Sequence, residues 1–226
     1  MTATMIPGPV AGPGIATADL DSVLGALEGF DPGIPWEAAR GSVVPMFPRR
    51  RGHPFDTANH VRVTLPPGLV VGFGLDLGPA VAFIGEPQLA GWGIGPADLV
   101  AAALGNVHER ARSIPLRDRA AIPVDAVPVE VIQSQVGVAA ALLLVPDELA
   151  RLLGPGPKVL AAPMRDVLLV MPDGIEPAEA DWISEHLASL DPNSLDLGLF
   201  RYRQGSVARL ERGLGDEGPS LDQMMN

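Results

Sequence analysis

Apolar and polar positions along this chain recur in two periods. Near the start, Leu20, Val23, Leu24 and Leu27 fall at i, i+3, i+4 and i+7, one face of a helix, with Thr17 or Asp19 placed to cap it. Phe30-Asp31-Pro32-Gly33 stops that helix. Pro35-Trp36-Glu37-Ala38 begins one more turn, because proline suits the first helical position. Residues 41–60 carry three prolines and read as irregular. Val61, Val63 and Leu65 then alternate with Arg62 and Thr64, the period of a half-buried strand. Runs over 69–77 and 80–84 follow, joined as a hairpin at Gly78-Pro79. A helix over 98–111 collects Leu99, Ala102, Ala103 and Val107 on one side, and 113–125 reads as a polar loop.

The second half gives strands near 128–134 and 137–145, then a helix over 146–153 ending at Gly154-Pro155-Gly156. Strands near 158–162 and 167–171 precede a helix over 177–189 bearing Trp182, Ile183 and Leu187. The last strands, near 196–203 and 206–211, turn at Gln204-Gly205. Adjacent strands punctuated by helices predict an α+β fold with mixed or antiparallel sheets. The stretch 82–90 echoes 142–150, each reading as strand, proline and leucine-bearing helix, which suggests two similar halves. Residues 1–16, rich in Pro and Gly, read as a disordered leader. Residues 17–211 read as the α+β domain with a sub-boundary near 113–127, and 212–226 as a flexible tail.

Composition narrows the function classes. At 226 residues and 47% hydrophobic, the chain can bury one sizeable core or two modest ones. A formal charge of -11, from 16 Lys+Arg against 27 Asp+Glu, argues against nucleic acid and against an anionic membrane surface. Zero cysteines removes disulfides, thiolate metal sites and thiol nucleophiles. The first residues carry neither a basic nor an apolar signal region, and the apolar run from Val136 to Val145 is far short of a span of roughly 20. The expectation is a soluble cytoplasmic protein.

Chemical motifs are sparse. None of His53, His60, His108 and His186 stands at the spacing of a zinc helix; His53 and His60 flank Asp56 in a loop, a weak ligand pattern. No nucleophile elbow and no phosphate loop is present, and Gly72-Phe73-Gly74 misses the dinucleotide-binding spacing. Neither a metal nor a cofactor is expected. Carboxylate pairs such as Glu176 with Glu179 sit at predicted helix starts, where they complement the macrodipole. The basic run Arg49-Arg50-Arg51 stands out against the acidic balance and suits docking to an acidic partner or a phosphate.

Two segments resemble a known family. Val81–Ala111 runs strand, leucine helix, Trp92-Gly93-Ile94 and a helix carrying Asn106; Ala162-Pro163 and Asp166-Val167-Leu168 form the second match, and 197–210 fit that family's closing hairpin. Together, over about residues 60–211, they resemble the bacterial domain of unknown function 1444 family. Gly137 and Val138 stand where that family carries a Tyr-Asp pair. The resemblance implies an α+β fold without an assigned reaction, and picks out Asn106, Pro163 and Asp166, with Arg165 in the same turn. The leading functional expectation is a non-catalytic binding or adaptor module with a protein partner. The rival is a hydrolase assembled from Asn106, His108 and Asp166, and a third reading is an acidic chaperone or immunity-type protein. Oligomeric state is not legible in the sequence.

Overall fold

The computed structural model describes residues 20–48, 59–115, 119–124, 127–134, 137–191 and 193–210. The expected leader, the tail from 212, and Arg49-Arg50-Arg51 with His53 and Asp56 lie outside these. The chain is an α+β protein with two antiparallel sheets. Helices α1 (Leu20–Glu28) and α2 (Trp36–Ala39) lead through a 3₁₀ turn into strand β1 (Val43–Met46). Strands β2 (Arg62–Leu65), β3 (Leu69–Asp76) and β4 (Val81–Phe83) follow, then α3 (Glu86–Trp92) and α4 (Pro96–Arg112). Strands β5 (Arg119–Val124) and β6 (Val127–Gln133), helix α5 (Pro146–Leu153), β7 (Lys158–Met164) and β8 (Val167–Pro172) precede α6 (Pro177–Ala188). A hairpin of β9 (Leu199–Arg203) and β10 (Ser206–Arg209) completes the described fold.

In the smaller sheet β3 is central, with β1 on one edge and β2 and β4 on the other. Its odd residues Leu69, Val71, Phe73 and Leu75 enter the main core. Gly74 lies between β1 and β4, where a Cβ would run into the Val81 side chain and the Ala82 carbonyl oxygen. The larger sheet has the order β10-β9-β7-β8-β6-β5. Its period-two alternation splits cleanly. Leu160, Leu168, Val170, Phe200 and Tyr202 join the main core, whereas Val159, Ala161, Leu169, Met171 and Leu199 form a second core with α6. The main core draws on both sheets and on the buried face of α4 (Leu99, Ala103, Val107, Ala111).

Helix starts follow the sequence signals. Gln88 accepts the Gly85 amide at 3.0 Å and Asp98 accepts the Gly95 amide at 2.9 Å, each with a proline in the first turn. Gly93, at φ 67°, ends α3 in the left-handed region that glycine reaches without a Cβ penalty.

Four expectations are corrected. The apolar run expected as a strand over 137–145 contains a 3₁₀ segment, Ala140–Leu144, with all five residues buried. Its turns are closed locally, by Leu142 N–H to Val138 and Ala139 and by Val145 N–H to Leu142, so it needs no strand partner. Side chains pointing all ways suit a plug at the centre of the core. It follows that the 82–90 and 142–150 echo is only partial: α3 and α5 match as helices, but β4 corresponds to a 3₁₀ segment. The irregular stretch 41–60 holds β1, and the loop 113–125 holds all of β5. Both carry a proline, Pro45 and Pro123, tolerated because each strand pairs on one side only.

Candidate functional site

The polar positions singled out in the sequence fall into three separate neighbourhoods. Asn106, on α4, turns its amide onto the carbonyl oxygens of Arg40 and Val43, at 2.8 and 2.9 Å. It thereby fixes the 3₁₀ turn and β1 against the helix. An open groove of about 400 Å³ runs beside it, between Trp36 and Arg40 on one wall and Ala101, Ala102 and Gly105 of α4 on the other. The Trp36 wall is itself braced: its ring lies 5.4 Å from that of Trp92, whose Nε1–H donates to the Ile34 carbonyl at 2.7 Å.

His108, two residues further along α4, meets a different group, Glu148 on α5. Glu148 is 7% exposed. Its carboxylate accepts from Arg151 Nε at 2.7 Å and faces His108 Nδ1 at 3.7 Å and Arg112 Nε at 3.6 Å. Arg151 also donates to the Ala111 carbonyl at 2.8 Å, satisfying one of the last carbonyls of α4. The Arg151 hydrogen bond, the largest influence, holds the Glu148 carboxyl below its ordinary value, and burial opposes the shift. This is an electrostatic clamp between α4 and α5. Nothing in the sequence points to it, because a carboxylate in the first turn of a helix is ordinary and the partners of Glu148 on α4 lie about forty residues away.

Pro163, Arg165 and Asp166 occupy the β7–β8 turn. Pro163 is buried at the register shift of β7, and its carbonyl accepts the Leu195 amide at 2.8 Å. The Arg165 and Asp166 carbonyls accept the amides of Ala140 and Ser134, at 3.0 and 2.9 Å. The Arg165 guanidinium lies over Gly137, whose φ of 65° and missing Cβ leave it room. This turn therefore seats the central 3₁₀ segment. Asn106, His108 and Asp166 each hold a different piece of the fold.

Among the described residues, no group of three or more His, Asp or Glu is arranged to hold a metal ion. His60, from the loop pattern with His53 and Asp56, stacks on Phe83 at 4.8 Å and bridges to Gly85.

A surface of another kind lies on α6. The helix packs over β7 and β9 by Ala180, Ile183 and Ala188. Asp181, Ser184, Glu185 and Ala188 face residues 195–198 across a crevice of only about 10 Å³. With about 100° of turn per residue, Trp182 and His186 therefore project from the opposite flank of α6. Trp182 is 50% exposed and stacks on His186 at 5.6 Å; Leu190, in the turn that follows, is 68% exposed. On the sheet face that packs against α6, Val124, Val127, Val131 and Val167 remain half-buried at the margin of the second core. Between them on this face, Val129, Leu169 and Met171 are fully buried in the second core. Sequence periodicity carries the signal, since Trp182 is about 100° out of phase with the buried Ile183.

No helix among the described residues is long and apolar enough to cross a membrane. The quoted segments remain the only support for the resemblance to the domain of unknown function 1444 family. Comparison with family models, curated proteins and solved structures finds no match.

Proposed function

We propose that this chain is a non-catalytic protein-binding module whose docking face is the exposed Trp182–His186 flank of α6 with Leu190. One observation carries the reading: a tryptophan 50% exposed, stacked on His186, and a leucine 68% exposed stand at the surface of α6 and the turn that follows it. Contiguous exposed apolar surface is costly in water unless a partner removes it, and tryptophan is the side chain most often found at the energetic centre of interfaces. The polar positions support the same reading from the other side. Asn106, Glu148 and the β7–β8 turn are each occupied with joining elements of the fold.

The test is affinity capture of the tagged chain beside its Trp182→Ala/Leu190→Ser variant, both checked for folding by circular dichroism. The reading expects a stoichiometric protein retained by the native chain and lost by the variant. Equal retention by both would reject this face. A chain that retains nothing and turns over an ester or phosphoester substrate would replace the reading with the hydrolase.

A further inference from the structure

Helix α1 stands apart from the other described elements. None of Val23, Leu24, Ala26 and Leu27 joins any of the three apolar clusters, and no extensive contact ties α1 to another described element. Leu24 and Leu27, one turn apart on one side, are 46% and 45% exposed. The helix has nine residues. Isolated helices shorter than about 12–15 residues are marginal in water, so an amphipathic helix of this length needs a surface for its leucines.

The groove beside Asn106 meets that need. Asp98, Ala101, Ala102, Gly105 and Asn106 recur at i, i+3, i+4, i+7 and i+8, one stripe of α4, with Trp36 and Arg40 as the facing wall. The stripe is about 12 Å long and α1 about 13.5 Å, at 1.5 Å per residue. Its floor is shallow in side chain: a Cβ on Gly105 would meet nothing, so a second helix can lie at the close end of the usual 8–10 Å. Trp36, half-buried and braced by Trp92, gives leucine an aromatic wall. Arg40 is the cation of the groove, and the charged residues of α1 are Asp21 and Glu28. Asp98, further along, already accepts the Gly95 amide. The same acidity of α1 disfavours an anionic membrane as its receiving surface.

The helix does not occupy the groove of its own chain. Phe30 and Ile34, in the connection to α2, pack against the main core, and no residue of α1 lines the groove. We propose that two copies of this chain pair reciprocally, each laying Leu24 and Leu27 of α1 into the other's groove between Trp36 and α4. Both halves of the contact are present on one chain, matched in length, apolar character and charge. A two-fold axis therefore closes the pair with each contact made twice. The residues used are separate from the Trp182 flank, so this inference stands apart from the docking reading.

Sedimentation velocity of the full chain over a hundredfold range of concentration tests this, with every variant checked for folding by circular dichroism. The expected result is a concentration-dependent dimer. Leu24→Gln/Leu27→Gln keeps good helix formers in α1 but removes its apolar face, and should raise the dimer dissociation constant at least tenfold. Ala101→Glu, at an exposed position of α4, blocks the groove by bulk and repels Asp21 and Glu28; it should do the same. Mixing the two variants is the decisive arm. The first retains an intact groove and the second an intact α1, so the mixture should form at least fivefold more dimer than either alone, through one restored contact. A chain that is monomeric throughout would overturn the proposal. So would a dimer that survives Ala101→Glu but not Leu24→Gln/Leu27→Gln, since α1 would then meet another surface, such as a second α1. Loss of both dimers without rescue on mixing would equally refute the reciprocal contact.

Discussion

The Asn106 amide donates to the carbonyl oxygen of Val43 at 2.9 Å, across 63 residues of sequence. A second hydrogen of the same amide serves the Arg40 carbonyl. One side chain thus ties α4 to the entry of β1, at the lip of the Trp36 groove. Asn106→Ala leaves two carbonyls without this donor and is expected to cost about 1–2 kcal/mol, read as a lower denaturant midpoint with an unchanged slope. Asn106→Asp, which presents acceptors to acceptors, should cost at least as much. A variant as stable as the native chain would remove the structural role and return Asn106 to the pool of functional groups.

Glu148 gives the fold a defined acid sensitivity. Its carboxyl titrates below its ordinary value of 4.5, chiefly because Arg151 donates to it, with His108 and Arg112 facing it from α4. A lowered folded-state value means that the clamp's stabilisation is fully present above about 4.5 and is lost as pH falls through the lower folded value. Thermal midpoints measured from pH 7 to pH 3 should fall for the native chain, and the fall below 4.5 should be shallower for Glu148→Gln, which is less stable at pH 7. Parallel curves for the two proteins would show that Glu148 is not held by its neighbours.

Gly74 is required by packing. A Cβ there meets the Val81 side chain and the Ala82 carbonyl across the β3–β4 pair. Gly74→Ala is therefore expected to destabilise by about 1–3 kcal/mol through overpacking, seen as a lower thermal midpoint. Val81→Ala in the same chain should recover part of the loss, because it empties the space the new methyl needs. An additive double variant would refute the clash.

Much of the fold was legible from period and punctuation. α5 and α6 begin at Pro146 and Pro177 as proline predicts, and β7, β8 and the β9–β10 hairpin follow the apolar alternation. What escaped was of two physical kinds. β1 and β5 carry prolines that discourage a strand reading, yet an edge strand tolerates them. Ala140–Leu144 is apolar on every side, and a continuously apolar run cannot reveal by period whether it is a strand or a buried turn of helix. The Glu148 clamp depends on which elements meet in space. His108 and Trp182 were visible as residues, but their neighbours were not.

The central claim is that a partner lies against the Trp182 flank of α6. It is tested most directly by placing a photo-crosslinking amino acid at position 182 in the intact chain and irradiating it in the cells that make it. Position 70 serves as the control, since Val70 is exposed to a similar 48% on the smaller sheet. The account predicts one discrete adduct from position 182 and none from position 70. Adducts from neither site, or the same adducts from both, would contradict it.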